Sequence, residues 1–391
     1  MPRLARHQWL VLGLAGLATL LAAFDSSVLV LALPAISAEF HAGVPALANV
    51  GSVLALGSLG ALPLGMLADR LGRRRMLAVA VFGFSLANLL SGLAPSLAVL
   101  ALTRLLAVCF ETLAAGVATA LVVEELPAAA RGMSVAAITV AAGGGTGLTV
   151  LLYPLLAPRW RALYLLGGLG VLGGLLLWAR LPESETWRAS RHEGVPLAVL
   201  WKPPWRRRLL LVGVAGALGA LLLQPASLLV FLFGSQSLHL DPLAISAVVF
   251  VSGVVSVPAF LVGGRLSDAY GRRLLGAGLV ALTALAVAAT FAGGLAAFWV
   301  GNVVWSVIAS AAVPILGAWF GELFPTRARA TSEAVNALAG ALGGIAGLQL
   351  VGLLEPRLGF GGSILAVAAG AIAGAALLLA LPETRGDPLP D

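Results

Sequence analysis

Apolar stretches of 18 or more residues follow one another along this chain, with the charges gathered in short clusters between them. Each stretch is long enough to cross a bilayer core of about 30 Å. Only 10% of the 391 residues are charged and 60% are hydrophobic, whereas a soluble domain carries about 25% charged residues. A soluble fold is excluded. Irregular backbone cannot be left facing lipid, and a closed β-barrel needs alternating segments of about ten residues, so these continuous runs are read as helices. Twelve spans are expected, at about 9–33, 45–68, 76–93, 97–122, 133–155, 161–180, 208–233, 243–264, 274–292, 296–320, 332–355 and 361–380.

The second half of the chain repeats the first. Gly65-Met66-Leu67-Ala68-Asp69-Arg70-Leu71-Gly72-Arg73-Arg74 returns 199 residues later as Gly264-Arg265-Leu266-Ser267-Asp268-Ala269-Tyr270-Gly271-Arg272-Arg273. Glu124, Pro127 and Arg131 return as Glu322, Pro325 and Arg329, and Leu181-Pro182-Glu183 returns as Leu381-Pro382-Glu383. The expected organisation is an N-terminal six-helix bundle over 1–190, a cytoplasmic linker over 191–207 and a C-terminal six-helix bundle over 208–391. The long connection from 181 to 208 carries Glu183, Glu185, Glu193 and the Arg206-Arg207-Arg208 run, where the next span meets the headgroups.

With both termini inside, 20 of the 24 Lys and Arg fall on the cytoplasmic side, three (Arg159, Arg161, Arg357) fall outside, and Arg104 lies within a span. This satisfies the positive-inside rule. The net charge of +7 is thereby explained by orientation, and no nucleic-acid partner is expected. The first apolar segment, from about 9 to 31, is too long for the core of a signal peptide and is read as a retained span. The lone Cys109 excludes an internal disulfide framework and is read as a packing residue. No nucleophile–base set, metal cluster or phosphate-binding loop is present, so an enzyme is not expected. The partners expected are the bilayer and a small-molecule substrate, with the monomer as the working unit.

The Asp-Arg-x-Gly-Arg-Arg loop at Asp69, with its repeat at Asp268, resembles the signature loop of the major facilitator superfamily. The Glu-(six residues)-Arg pairs and the Pro-Glu segments at Pro182 and Pro382 are similar to those of its sugar-porter and organic-metabolite branch. Two features depart from relatives in the superfamily. Arg104 is followed by Leu-Leu-Ala-Val-Cys-Phe-Glu rather than closely spaced glycines, and the glycines at 143, 144, 145 and 147 lack the proline typical of span 5 in its drug antiporters. The resemblance implies an all-α membrane protein of two pseudo-symmetric six-helix bundles. It also implies a midplane site that opens alternately to either side.

In such a transporter the cytoplasmic helix ends must meet and part. Ion pairs in partial water are worth about 0–1 kcal/mol each, and so bias that step without locking it. The expected gate residues are Asp69, Arg73, Glu124, Arg131 and Glu183, with Asp268, Arg272, Glu322, Arg329 and Glu383 in the second half. Asp69 and Asp268 are expected to accept hydrogen bonds from a neighbouring helix N-terminus.

Asp25, Arg104 and Glu111 lie well within spans. A charge at that depth costs roughly 2.5–3.5 kcal/mol on insertion scales, so each needs a partner or a polar cavity. Counting about 1.5 Å per residue from the span ends puts Asp25 and Arg104 at one depth, which makes them the expected pair. Glu111 follows two turns on, about 10 Å further, near the midplane. It is the expected readily protonated acid, with Asp25 as the charge that exchanges between Arg104 and substrate. An anionic substrate would be anchored by Arg104. Adding 199 to Asp25 and Glu111 gives the neutral Gln224 and Ser310, which suggests coupling in the first half and substrate recognition in the second. Gln224, Asn302, Trp305, Ser306 and Gln349 are the candidate substrate contacts.

The expected activity is proton-coupled symport of a small polar metabolite, an organic acid or a sugar. The expected location is a bacterial-type inner membrane. No cofactor or metal is expected, and the proton is the coupling ion. The alternative is a proton/drug antiporter, followed by a non-transporting sensor of the same fold.

Overall fold

In the computed structural model, residues 5–127, 130–183, 201–325 and 329–385 are described. The side chains at 62, 69, 131, 132, 261, 329 and 330 lie outside that description. So do Glu185, Glu193 and most of the expected linker.

The first half comprises α1 (Arg6–Phe40), α2 (Val44–Leu71), α3 (Arg73–Gly92), α4 (Leu97–Glu125) and α5 (Arg131–Leu156). A 3-10 turn (Ala157–Arg159) then leads into α6 (Trp160–Gly168) and α7 (Gly170–Arg180). The second half comprises α8 (Trp205–Leu238), α9 (Pro242–Tyr270), α10 (Arg273–Ala292), α11 (Leu295–Glu322) and α12 (Arg329–Leu378). No strand occurs among the described residues.

Ten stretches are long and apolar enough to span a membrane, and two of them, Met133–Arg180 and Thr331–Leu378, run to 48 residues. At 1.5 Å per residue, 48 residues extend about 72 Å, enough for two crossings each. The twelve expected spans are therefore present. The break in the second long stretch is at Gly359, whose φ of 69° lies in the left-handed region, three residues after Pro356. The expected sixth span is interrupted at Leu169, where the amide of Leu169 bonds to Leu166 O and that of Leu172 to Leu169 O, an i→i+3 pattern. Pro225, Pro258 and Pro314, each expected to bend its span, lie inside α8, α9 and α11.

Contacts divide the chain into two compact units, one of residues 1–41 and 53–193, the other of 42–52 and 194–391. The first turns of α2 therefore group with the second unit. In the first unit, α1 packs on α5 and α4, and α3 packs on α4, α6 and α7. In the second, α8 packs on α12, while α11 packs on α9 and α10.

Glycine sets how closely the long helices approach. A Cβ at Gly145 would strike the carbonyl of Leu20 and lie 2.9 Å from the amide of Phe24, so α5 meets the bare backbone of α1. Gly343 and Gly347 meet Ala217 and Leu221 of α8 in the same way. The glycine-rich fifth span is thus a packing surface. Cys109, half-buried on α4, fits against Gly60 of α2, where a Cβ would come within 2.9 Å of its sulfur.

Candidate functional site

The three intramembrane charges form one cluster inside the first unit. Arg104 Nη1 donates to Asp25 Oδ1 at 2.6 Å and to Asn88 Oδ1 at 2.8 Å, while Nη2 donates to Glu111 Oε1 at 2.9 Å. Asp25 and Arg104 are each 1% exposed and Glu111 is 7% exposed, so the charges answer one another rather than water. The guanidinium carbon also lies 5.2 Å from the centre of the Tyr164 ring. Four helices meet here: α1 brings Asp25, α3 Asn88, α4 Arg104 and Glu111, and α6 Tyr164.

Small residues make room for this polar group. A Cβ at Gly167 would come within 2.9 Å of Asn88 Nδ2, and one at Gly170 within 2.5 Å of Ser85 Oγ. Glycines on α6 and α7 thus admit the polar face of α3. Glu111 is not set apart from the cation, as the two-turn separation suggested. The long Arg104 side chain runs along its own helix to a residue seven positions on, on nearly the same face, and reaches it. Two carboxylates therefore share one guanidinium. Asp25 Oδ2, Asn88 Nδ2, Arg104 Nε and Tyr164 Oη are buried without a protein partner among the described residues.

Asn88, Tyr164 and Ser26 had not been singled out. The second carboxylate oxygen of Glu111, Oε2, lies 2.7 Å from Ser26 Oγ. Asn88 could have been found as the only amide in its apolar span.

The candidate substrate contacts of the second half do not form a comparable group. Asn302 spends its amide on Phe298 O of its own helix at 2.8 Å and accepts from Trp305 Nε1 at 3.3 Å. Ser306, half-buried, follows Trp305 on α11. Gln224 is exposed on α8, beside Gly344. Gln349 Nε2 lies 2.9 Å from both Asn49 Oδ1 and Ser52 Oγ, so its amide is engaged within the second unit.

The repeated basic loops adopt repeated geometry. Arg73 Nη2 lies 3.1 Å from Glu124 Oε1, and its counterpart Arg272 Nη2 lies 2.9 Å from Glu322 Oε1. Each of these pairs lies within one unit. The side chains of Asp69, Arg131 and Arg329 are outside the description. Asp268, in the last turn of α9, lies 3.6 Å from Nη2 of Arg272, four residues on at the start of α10.

The helix N-termini that follow these loops are served by Glu183 and Glu383; Asp268 accepts from no backbone amide among the described residues, and the Asp69 side chain lies outside the description. Glu183 Oε1 accepts from the Arg74 amide at 3.0 Å, at the start of α3. Glu383 accepts from the amides of Arg272 (2.9 Å) and Arg273 (2.9 Å) at the start of α10, and from those of Thr384 and Arg385 (both 3.1 Å). Gly72 and Gly271 precede these starts with φ of 104° and 91°. A Cβ there would press on the Glu183 and Glu383 carboxylates, so glycine serves both the turn and the approach. The longer Glu reaches back from the end of the unit, which a local Asp cannot do.

Burial works against the charged form of Glu383, but the backbone donors prevail and hold its carboxyl below the usual range. A lowered folded value means that the stabilisation is present at neutral pH and is lost as pH falls through the unfolded value towards the folded one. Glu383→Gln is expected to cost about 1 kcal/mol at neutral pH, the worth of a helix cap. The gap from wild type should begin to narrow near pH 4, around the ordinary Glu value, and close further below it. Melting curves at the two pH values measure it.

At the far end of α1 a second ion pair ties three connections together. Arg161 Nη2 lies 2.6 Å from Glu39 Oε1, Arg161 Nη1 donates to the carbonyls of Gly92 and Ala94, and Trp160 Nε1 donates to Glu39 Oε2 at 2.6 Å. The basic loop at Arg73 and this group thus sit at opposite ends of the first unit, with the Asp25–Arg104–Glu111 cluster between them.

The family described as Major Facilitator Superfamily matches residues 15–348 and again 225–390. The chain belongs to the major facilitator superfamily. Its twelve-span fold is that of the superfamily, and it is a multi-pass membrane transporter, not an enzyme. A gallate transporter of Pseudomonas putida is 36% identical over 193 residues, which cover 48% of this chain and 43% of that protein. The 4-hydroxybenzoate transporter PcaK of the same organism is 32% identical over 202 residues, 49% of this chain and 44% of that protein. The match thus spans less than half the length of these two relatives. Among solved structures, the inward-open xylose transporter XylE of Escherichia coli superposes with a TM-score of 0.75, covering 98% of both chains at 19% identity.

Proposed function

We propose that this superfamily member is a proton-coupled symporter for a small organic acid, with Asp25, Arg104 and Glu111 as its coupling centre. The observation that carries this reading is the sharing of one buried guanidinium by two carboxylates. With both acids ionised the cluster holds one negative charge in excess, and burying an unmatched charge is costly. One proton neutralises it. A substrate carboxylate competing for Arg104 would favour uptake of that proton, because an acid that loses its cation is more readily protonated. Proton and anion are thereby coupled. The names of the relatives that act on gallate and 4-hydroxybenzoate support an aromatic acid over a sugar.

In this reading the two halves alternate access to a central site, as the superfamily fold is expected to do. Gln224, Trp305 and Ser306 in the second half are the proposed contacts to substrate hydroxyls. The basic loops at Arg73 and Arg272 are proposed to lie on the cytoplasmic face of an inner membrane, with both termini on that side and the monomer as the working unit.

The test is uptake of radiolabelled 4-hydroxybenzoate and gallate into proteoliposomes under an imposed pH gradient. Wild type should accumulate at least one of them only when the gradient drives protons inward. Glu111→Gln should lose accumulation, while exchange of labelled for unlabelled substrate across equal pH continues. Gradient-independent accumulation by wild type, or gradient-driven accumulation by the variant, would contradict the proposal.

A further inference from the structure

Ser26 Oγ stands between two oxygens, 2.8 Å from the carbonyl of Ala22, one turn back on α1, and 2.7 Å from Glu111 Oε2. Both distances are hydrogen-bonding distances, yet a hydroxyl carries one proton. Ser26 can donate to the carbonyl or to the carboxylate, not to both. If it donates to Ala22 O, the remaining short contact is a hydrogen bond only when Glu111 itself carries a proton on Oε2 and donates it. If Glu111 is ionised, Ser26 turns to donate to Oε2.

We propose that Ser26 is a positioning residue for proton exchange at Glu111, its hydroxyl turning between the Ala22 carbonyl and the Glu111 carboxylate as the acid takes up or releases a proton. The inference rests on Glu111 being a proton-exchanging acid, as proposed above. It adds the group that lets a buried carboxyl change charge without losing a hydrogen bond in either state. Uptake adds one proton to Oε2 and moves the Ser26 hydrogen to Ala22 O. Release reverses both, and no other bond changes. Arg104 Nη2 meets the other oxygen of Glu111, Oε1, so the proton is exchanged on the side of the carboxyl away from the guanidinium.

The surroundings leave few competitors. Facing Glu111 are Arg104 on its own helix, Asp25 on α1 and the Tyr164 phenol on α6. Among the other helices at α4, α3 contributes the neutral Asn88. The span of α5 bears charge only at Arg131, its first residue, and α2 only at Asp69 and Arg70, near its end. Ser27, the neighbouring hydroxyl, bonds Ala23 O and Thr146 instead.

The test needs no substrate. Infrared titration of the purified protein in lipid vesicles follows the carbonyl band of protonated carboxylic acids, and the band that disappears in Glu111→Gln belongs to Glu111. A carboxylate that accepts a hydrogen bond favours the charged form. Ser26→Ala should therefore move the midpoint of that band to higher pH by about one unit, and Ser26→Thr, which keeps the hydroxyl, should restore it. Ser26→Cys, of similar size with a weaker donor, should fall between, and replaces the alanine variant if that one does not fold. An unchanged midpoint in both the alanine and cysteine variants overturns the role of Ser26 and leaves Glu111 as the coupling acid. Absence of any titrating band that Glu111→Gln removes overturns both.

Discussion

Arg104→Gln is expected to abolish uptake and to give the least stable folded protein among single changes at the charge cluster, by about 3–5 kcal/mol. Among the described residues the guanidinium is the only cation against two buried carboxylates, and its loss leaves both charges unmatched at buried positions. Asn88 and Tyr164 add to the loss, since each is oriented on the same group. If unmatched charge is the cause, a second change that removes one carboxylate should restore stability without restoring function. Arg104→Gln with Asp25→Asn is therefore expected to melt above Arg104→Gln alone and to transport nothing. Melting temperatures of the purified proteins, beside proteoliposome uptake, decide it. A double variant no more stable than the single one would mean that packing, not charge, holds α1 to α4.

Gly145→Val is expected to prevent assembly of the first unit altogether. The added carbons would occupy space already filled by the carbonyl of Leu20 and the backbone around Phe24. Backbone cannot rotate away as a side chain can. Extra carbons in a tight contact cost about 1–3 kcal/mol where side chains can yield, and here the whole of α5 would have to move off α1. That shift would also disturb α1 at Asp25 and Ser26, one and two residues beyond Phe24. Gly347→Val, against Leu221 of α8, should behave alike in the second unit. By contrast Gly147, where a Cβ meets nothing within 4 Å, should accept alanine with little change. Yield of monodisperse protein on size-exclusion chromatography separates the three. Normal yield of Gly145→Val would show that α5 does not depend on this approach.

Much of the architecture was legible because lipid imposes a strong rule: length, polarity and the placement of arginines sufficed for twelve spans. The pairing of Asp25 with Arg104 could be read from depth alone, since residues on antiparallel spans meet when their distances from the same face agree. What escaped were partners without charge. Asn88, Tyr164 and Ser26 carry no periodic signature, and which face of a span they occupy depends on packing that a single sequence does not display. The second unread feature was local. His41 and His239, 198 residues apart, end α1 and α8 with φ of 50° and 53°, a repeat in backbone conformation that composition hides. The third concerned reach. The acids of the Asp-Arg-x-Gly-Arg-Arg loops looked like the natural caps by proximity in sequence, but Glu183 and Glu383 arrive from more than a hundred residues away.

That return has a mechanical meaning. The closing turn of each six-span unit is buttoned onto the loop between its second and third spans, so the last helix cannot slide along its neighbours without undoing the button. Sliding of the last helix within either unit therefore carries the cost of uncapping the third span, about 1 kcal/mol.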